Sequence, residues 1–239
     1  MKLLALLASV PFESDKVLTG IRSIRQVTIA GKTAYKGKLF GRGVLLMNTG
    51  IGKVNAAHSA TAVIEHFPIR YVVNFGIGGA YPGAGLGIGD VAVASKEIYG
   101  DEGVITSKGW SGVKEIGIPP VKIGGKKYFN EFPLDKKRTK NISRSLKIRS
   151  GNFVTVSSST GTRKRALELE SRFNAVCENM EGAAVAQVCA LYNILMIEAL
   201  GISNIAGVRD KRRWDIELAS ENCQQALLEM IKNLVGNKA

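Results

Sequence analysis

The chain has 239 residues, of which 45% are hydrophobic and 27 are glycine, a composition typical of a compact α/β protein with a sizeable core. No apolar run reaches the length of a membrane span, and the three cysteines show no CxxC spacing. We therefore expect no membrane partner, no disulfide framework and a reducing, cytoplasmic location.

The net charge of +13 comes mainly from a few short basic segments, residues 122–127, 136–147, 163–165 and 211–213. No aromatic residues interleave with the longest segment, and no nucleic-acid-binding module is evident, so the basic residues are interpreted as a solvated surface. The same positive field would attract an anionic small substrate. A basic nucleic-acid-binding protein remains the alternative from another class.

Residues 2–10 are mostly Leu, Ala and Val, which predicts a buried parallel strand rather than a signal peptide. A helical pattern follows through Val17, Leu18 and Ile21. Glu13 should therefore lie just beyond the carboxyl end of the strand and near the start of the helix. A helix-capping acid and a catalytic base both fit this position.

The next elements alternate between strands and a helix. The pattern predicts strands at residues 27–34, 36–40, 43–48 and 71–75, with a helix after residue 53. Such an order indicates right-handed parallel crossovers.

Two glycine-rich segments follow predicted strands, TGIGKVNAA at residues 49–57 and NFGIGGA at residues 74–80. Neither has the spacing of a phosphate-binding P-loop, and the second is a weak match to a dinucleotide fingerprint. Glycines in such loops let backbone N–H groups approach a ligand closely. Simple turns are the alternative for each segment taken alone.

The second half predicts further strands and helices without a linker or a repeat, so a single domain over residues 1–239 is expected. Residues 89–95 and 152–157 are predicted strands, and residues 132–148, 163–173 and 218–234 predicted helices. Residues 100–127 are rich in Gly, Lys and Pro and predict a long irregular excursion, either a lid or a disordered segment.

The most informative stretch runs over residues 178–210. A helix rich in small residues at 182–192 is followed by an apolar run at 194–202 and a predicted polar loop, Ser203–Asn204. Polar loops at the carboxyl ends of strands are where open α/β sheets usually build their sites. Glu181 directly precedes the small residues, where an unpaired charge would be costly. Stabilisation by the helix amino terminus is the alternative explanation for this carboxylate.

Taken together, the Glu13 position, the two glycine segments, ENMEGAAVA (178–186) and GISN (201–204) resemble the purine nucleoside phosphorylase and nucleosidase superfamily. The finer pattern, SSSTGT (157–162) with GISNIAGVRDKRRW (201–214), is similar to the futalosine hydrolases. The resemblance implies a single α/β domain built on a mixed, partly rolled central sheet flanked by helices. It also implies cleavage of an N-glycosidic bond with no cofactor and no metal.

The resemblance also assigns roles to residues. Glu13 matches the acid that handles the attacking water, Glu181 matches a ribose contact, and Asn204 matches the residue facing the leaving purine. These three are the predicted catalytic residues. The predicted substrate-binding residues are Gly78, Gly79, Thr160, Gly161, Asn179, Met180, Ser203 and Arg209.

Asn204 bears on the substrate. The adenine-releasing relatives generally place an Asp there as a proton donor, which Asn cannot be. The Asn amide can donate to a 6-oxo group and accept from a ring N–H, which favours a 6-oxopurine nucleoside such as futalosine. A turn-capping Asn is the alternative. Methylthioadenosine/S-adenosylhomocysteine or aminodeoxyfutalosine cleavage remains the alternative activity.

Three further features depart from, or add to, the resemblance. No aromatic residue stands beside Thr160, so Phe12, Tyr81 or Phe153 would have to stack on the purine. Leu200 stands where relatives often have Arg. Few arginines lie near the glycine segments, which favours water over phosphate as the nucleophile. We expect a homo-oligomer whose partner is a small purine nucleoside rather than a nucleic acid.

Overall fold

The structure is a computed structural model that describes residues 2–236. The strands are β1 Leu3–Ala8, β2 Arg22–Ile29, β3 Lys32–Leu39, β4 Arg42–Asn48, β5 Ile69–Ala80, β6 Val91–Tyr99, β7 Gly103–Thr106, β8 Gly109–Gly112, β9 Val121–Ile123, β10 Lys126–Tyr128, β11 Glu131–Pro133, β12 Arg149–Thr155, β13 Ala175–Asn179 and β14 Leu195–Ile205. The helices are α1 Asp15–Gly20, α2 Lys53–His66, α3 Lys136–Leu146, α4 Arg163–Phe173, α5 Gly182–Leu191 and α6 Ile216–Gly236.

Ten of the strands form one mixed sheet in the order β11-β6-β12-β13-β5-β1-β4-β3-β2, and β14 pairs with both β5 and β6. Because β14 bridges these two strands, β5, β14, β6, β12 and β13 form a closed ring of neighbours. Strands β1 to β4 extend the sheet from β5. The predicted mixed, partly rolled sheet flanked by helices is confirmed.

The rolled sheet is covered by helices on both faces. Every residue of β1 is buried, as its unbroken apolar sequence predicts for a parallel strand with both faces covered. On one face α6 contributes Cys223, Leu227 and Ile231, which are fully buried. On the other face, α2 and α5 pack with small residues such as Ala60 and Ala183. Among the described residues, no helix is both long and apolar enough to cross a membrane.

Two segments expected to be loops belong to strands instead. Residues 76–80 continue β5 through the glycines, and Ser203 and Asn204 lie within β14. The prediction failed because Gly79 has strand partners on both sides, Glu178 of β13 and Asn204 of β14. Pairing on both sides compensates for the low strand propensity of glycine. Strand β2 also begins earlier than predicted, at Arg22.

The prediction of an irregular excursion at residues 100–127 was wrong. The segment contains two hairpins, β7–β8 and β9–β10, with a 3-10 turn at Val113–Ile116 between them. Trp110 of β8 lies edge-on to Phe173, and the Arg172 guanidinium stacks over the same indole 4.7 Å from its centroid. These contacts attach the first hairpin to α4.

Candidate active site

Glu13 lies in a 3-10 turn, Pro11–Glu13, that follows β1 directly. Its Oε2 accepts the N–H groups of Ser9 (2.9 Å) and Val10 (3.1 Å), and its Oε1 accepts the N–H of Ile77 in β5 (3.0 Å). The carboxyl group caps its own short turn and reaches across to the sheet, but it does not cap α1. Only 4% of the residue is exposed, and this burial raises its pKa from 4.5 to about 7, partly offset by the backbone hydrogen bonds.

The close approach of Glu13 to β5 depends on Gly76. A Cβ atom at position 76 would lie 2.6 Å from Oε1 of Glu13. Gly76 therefore leaves room for the Glu13 carboxyl group, and the next residue, Ile77, donates its N–H to that group.

Glu181 stands at the N-cap position of α5. Its Oε1 accepts the N–H of Gly52 (2.7 Å), and its Oε2 accepts the N–H of Met180 (3.2 Å). Gly52 has φ +94°, a conformation that favours glycine, so the TGIG segment turns its N–H toward this acid. Burial raises the pKa of Glu181.

The two acids lie close together although 168 positions separate them in the sequence (181 − 13). The Ser9 backbone N–H binds Glu13, and the Ser9 side chain is close enough to Glu181 to oppose the rise of its pKa. The negative charge of Glu181 also raises the pKa of Glu13. Two carboxyl groups with elevated pKa values thus flank one serine.

Asn204 lies further along β5, on the edge that pairs with β14. Its Nδ2 would be 3.1 Å from a Cβ atom placed at Gly79, and Ser203 Oγ donates to its Oδ1 at 2.9 Å. Gly79 is two residues beyond Ile77, which binds Glu13, a separation of roughly 7 Å along a strand. The predicted contacts for the attacking water and for the base are therefore arranged along one short stretch of β5.

Glu178 is a candidate site residue that the sequence analysis did not assign. It pairs with Gly79 on the side opposite Asn204, and its Oε1 accepts the N–H of Thr160 (3.0 Å). The residue is 7% exposed, and its Oε2 has no hydrogen-bond partner within residues 2–236. Its place directly after three apolar residues of β13 could have suggested a buried carboxyl group. Its position opposite Asn204, however, depends on the pairing of β13 with β5.

Glu178 is surrounded by polar groups that lack well-formed hydrogen bonds. In the described chain, the Tyr81 hydroxyl and Thr160 Oγ1 are buried and unpartnered, although both are near enough to influence the carboxyl group. Burial raises the pKa of Glu178, and Arg209 opposes the shift. Burial also raises the pKa of Tyr81, so this hydroxyl remains a hydrogen-bond donor at neutral pH.

The remaining predicted residues differ in position. Gly78 packs tightly on Cys177, whose Sγ would be 2.7 Å from an added Cβ, and its carbonyl accepts from Ser203 Oγ (3.2 Å). Met180 is half-buried, whereas Gly161 is exposed with open space beside it. Arg209 is exposed and stacks on Trp214, 4.9 Å from the ring centroid.

Asn179 has a supporting position behind Glu181. Its Oδ1 accepts the N–H groups of Glu181 (2.9 Å) and Gly182 (2.7 Å), and its Nδ2 donates to Glu97 (2.7 Å). Both polar atoms of the Asn179 side chain are therefore already hydrogen-bonded within the protein. Contact of Asn179 with substrate stays a prediction.

The aromatic candidates for stacking on a purine are not equivalent. Phe153 and Tyr81 are fully buried in the core, whereas Phe12, next to Glu13, is 46% exposed. Phe12 is therefore the one of the three whose ring is accessible to a ligand.

Lys53, the cation within the first glycine segment, already has partners. Its Nζ lies 2.6 Å from Asp101 and 3.2 Å from Glu102, and it sits over the Tyr99 ring. A lysine neutralised in this way is poorly suited to hold a phosphate dianion. Within the described residues, no group of three or more His, Cys, Asp or Glu side chains is placed to hold a metal ion.

A family model described as the phosphorylase superfamily matches residues 4–234. A futalosine hydrolase of Thermus thermophilus is 35% identical over 205 residues, which cover 86% of each chain. A 5'-methylthioadenosine/S-adenosylhomocysteine nucleosidase of Bacillus cytotoxicus is 30% identical over 210 residues, 87% of this chain and 88% of the relative.

Solved structures share the fold over nearly the whole chain. The S-adenosylhomocysteine nucleosidase of Streptococcus pyogenes in complex with 5-methylthiotubericidin superposes with a TM-score of 0.84 at 23% identity, covering 98% of this chain and 97% of that one. The MTA/SAH nucleosidase of Streptococcus pneumoniae in complex with 8-aminoadenine gives 0.82 at 26% identity, covering 97% and 99%.

Proposed function

Since this chain belongs to the phosphorylase superfamily and is an N-glycosyl hydrolase of its nucleosidase branch, we propose that its substrate is a 6-oxopurine nucleoside, specifically futalosine. The products would be hypoxanthine and dehypoxanthinyl futalosine, in the alternative route to menaquinone. The observation that carries the proposal is the pair of side chains on either side of Gly79, Asn204 and Glu178.

These two side chains match the hydrogen-bonding pattern of hypoxanthine. Within the described chain, Asn204 Nδ2 and Glu178 Oε2 have no recorded protein partner. Hypoxanthine carries a 6-oxo acceptor and a ring N–H next to it, so the amide can donate to the oxygen while an ionised Glu178 accepts from the N–H. Adenine has an amino group and an unprotonated ring nitrogen at the same two positions. The carboxylate would therefore meet no donor at the ring nitrogen, which disfavours adenine.

The sugar end of the site supplies the chemistry. Cleavage of the C–N bond builds positive charge on the ribose, which the carboxylate of Glu181 stabilises while accepting hydrogen bonds from the ribose hydroxyls. Glu13 takes a proton from the attacking water while the water oxygen forms its bond to the anomeric carbon. The bonding electrons leave with the purine, and the Asn204 amide stabilises the resulting negative charge by a hydrogen bond. A proton from solvent then neutralises the purine, and Glu13 returns to solvent the proton that it accepted. Water is favoured over phosphate because Lys53 is held by Asp101 and Glu102.

The proposal is tested by offering futalosine, inosine and methylthioadenosine separately and identifying the released base by chromatography. We expect hypoxanthine from futalosine at the highest kcat/KM, with no dependence on added phosphate. Release of adenine alone would support the second candidate, methylthioadenosine/S-adenosylhomocysteine cleavage, which the 30%-identical relative favours. Phosphate-dependent turnover would indicate a phosphorylase.

The role of the pair flanking Gly79 is tested with Glu178→Gln. The variant should lower kcat/KM for futalosine by at least about tenfold and narrow the preference over methylthioadenosine, because a Gln amide can donate to the adenine ring nitrogen. Glu168→Gln is the matched control, since Glu168 is an exposed residue of α4 paired with Arg165 and Arg172. Equal effects on both substrates would contradict the assignment of Glu178 to base selection.

A further inference from the structure

Beneath the amino terminus of α5 lies a buried layer of polar side chains to which each strand of the closed ring contributes one residue. The members are Asn74 of β5, Glu198 of β14, Glu97 of β6, Thr155 of β12 and Asn179 of β13. None is more than 6% exposed, and Glu97, Thr155 and Glu198 are completely buried. Burial of two carboxyl groups side by side is costly unless their charge and hydrogen bonds are compensated.

Side chains of this layer accept hydrogen bonds from three successive backbone N–H groups at the start of α5. Asn179 Oδ1 accepts from Glu181 and Gly182, and Thr155 Oγ1 accepts from Ala183 (2.7 Å). Glu181 provides no side-chain cap of its own to this helix. The first turn is therefore capped by side chains from two strands.

Gly182 allows the carboxyl groups to reach this helix turn. A Cβ atom at Gly182 would lie 2.4 Å from Oε1 of Glu97 and 2.4 Å from Oε1 of Glu198. Both carboxyl groups thus press against the same glycine, directly after the residue assigned to the ribose.

Counting donors and acceptors assigns different charges to the two acids. Thr155 Oγ1 has one proton and two acceptors in reach, Glu97 Oε2 (2.7 Å) and Asn179 Oδ1 (3.0 Å), and the latter already accepts two backbone N–H groups. With that proton directed to Glu97, both Glu97 oxygens accept hydrogen bonds, the other from Asn179 Nδ2 (2.7 Å), as expected for an ionised carboxylate. Glu198 accepts one bond at Oε1 from Asn74 (2.8 Å), and its Oε2 has no partner within the described residues. A proton on Oε1 of Glu198, the oxygen that lies with Oε1 of Glu97 against Gly182, would make Glu198 a neutral donor to its anionic neighbour.

We propose that Glu97 and Glu198 share one proton and that the resulting anion and neutral acid are positioning residues for Glu181. The anion at Glu97 fixes the Asn179 carboxamide with its NH₂ toward the carboxylate. The Oδ1 atom must then face α5, where it holds the N–H groups of Glu181 and Gly182. A single negative charge at this place is also favoured by the amino terminus of the helix. The proposal rests on the proposed role of Glu181 in binding ribose.

The surroundings agree with a shared proton. Burial and the mutual repulsion of the two acids raise the pKa of Glu198 well above its usual range, and burial raises that of Glu97. Among the described residues, the titratable groups whose charges act on the pair are acids, a phenol and thiols: Glu181, Tyr99, Cys177, Cys189 and Cys223.

Glu97→Gln is the disruptive variant. It places an NH₂ group opposite one of the two donors, Asn179 or Thr155, and removes the negative charge, so the Asn179 carboxamide should be held less firmly in its orientation. We expect faster hydrogen exchange of the amides of residues 181–183 without substrate, and a fall in kcat/KM of roughly a hundred-fold. Glu198→Ala should also accelerate exchange, whereas Glu198→Gln, which mimics the neutral acid, should restore both exchange protection and turnover.

Two measurements test the proton itself without relying on turnover. The infrared carbonyl absorption of protonated carboxyl groups should be weaker in Glu198→Gln than in the wild type at neutral pH, where the partly protonated Glu13 contributes equally to both proteins. Because the folded pKa of Glu198 is raised, the wild type loses stability as pH rises above the unfolded value near 4.5. The melting temperature of Glu198→Gln relative to wild type should therefore increase with pH.

The proposal is overturned if Glu97→Gln leaves amide exchange at residues 181–183 unchanged, or if Glu198→Gln is as damaging as Glu198→Ala. An unchanged carbonyl band in Glu198→Gln would also overturn it, and this measurement stands even if Glu97→Gln fails to fold. The amide-exchange and infrared changes could both be found in a protein that releases no purine from any nucleoside. That outcome would support the capping layer and would count against the proposed function alone.

Discussion

Glu13 is a carboxyl group that folding removes from water and surrounds with backbone N–H groups of Ser9, Val10 and Ile77. Desolvation raises its pKa, and the three N–H groups limit the rise, so that the pKa is about 7. A general base with a pKa near the working pH combines an adequate ionised fraction with a useful affinity for the proton.

The pH dependence of turnover should report this group. Because Glu13 must be ionised to accept a proton from water, kcat/KM should rise with pH through about 7 and then level off. Glu13→Gln should lower kcat by about 10² to 10⁴ and remove this limb from the residual activity. A wild-type profile that is flat between pH 5 and 9 would contradict the assignment.

The same group makes a predictable contribution to stability. Its folded pKa is raised, so its contribution is fully present below pH 4.5 and is lost as pH rises through about 7. The melting temperature of Glu13→Gln relative to wild type should therefore increase across this interval, as followed by circular dichroism.

Glu181 allows a sharper separation of catalysis from folding. Glu181→Gln retains an oxygen that can accept the N–H of Gly52, so the variant should fold with a melting temperature close to that of wild type. Its turnover should fall by about 10² to 10³, because the charge opposite the developing cation is lost. A large fall in melting temperature with retained activity would identify Glu181 as a structural helix-terminal acid.

At the scale of the element, strand β5 organises the site, because its glycines admit side chains from three other parts of the fold. Gly76 accommodates Glu13, and Gly79 lies between Glu178 and Asn204. A strand with ordinary side chains at these positions would close the space that the acids and the amide occupy.

Gly76→Ala tests this arrangement. The added Cβ would meet Oε1 of Glu13 at 2.6 Å, so the carboxyl group must move and kcat should fall by roughly a hundred-fold. Gly87→Ala is the matched control, because its Cβ would meet only Asp90 at an ordinary 3.7 Å. Equal turnover of the two variants, measured by release of free base, would show that Glu13 need not be held against β5.

At the scale of the whole molecule, large apolar side chains are exposed beside the TGIG segment. Val54 at the start of α2 is 83% exposed and Ile51 before it is 59% exposed. Exposed apolar groups at the start of a helix whose N-cap residue, Gly52, binds Glu181 are consistent with the expectation of a homo-oligomer.

Sedimentation velocity at micromolar concentration should therefore give a mass of at least two chains. Val54→Glu should shift the population toward the monomer, because it would bury a charge in the contact. Leu167→Glu, at a 44% exposed position of α4, serves as the control. A monomeric wild type at this concentration would contradict the expectation.

The sequence by itself determined the α/β class and most strands and helices, and its resemblance to a known superfamily supplied the candidate roles of Glu13, Glu181 and Asn204. The strands and helices are encoded locally, in apolar periodicity and glycine placement. Hydropathy failed at residues 76–80 and 203–204, where pairing with distant strands stabilises extended glycine-rich backbone. It also failed at residues 100–127, whose hairpins lack a clear apolar alternation.

Only the tertiary structure decided which polar side chains meet. Glu178 becomes a neighbour of Asn204 because β13 and β14 pair with opposite edges of β5. Glu97 and Glu198, 101 positions apart (198 − 97), press on the same glycine because the ring of strands closes. Strand register sets the face on which a side chain lies, and it depends on pairing and irregularities that no local pattern specifies.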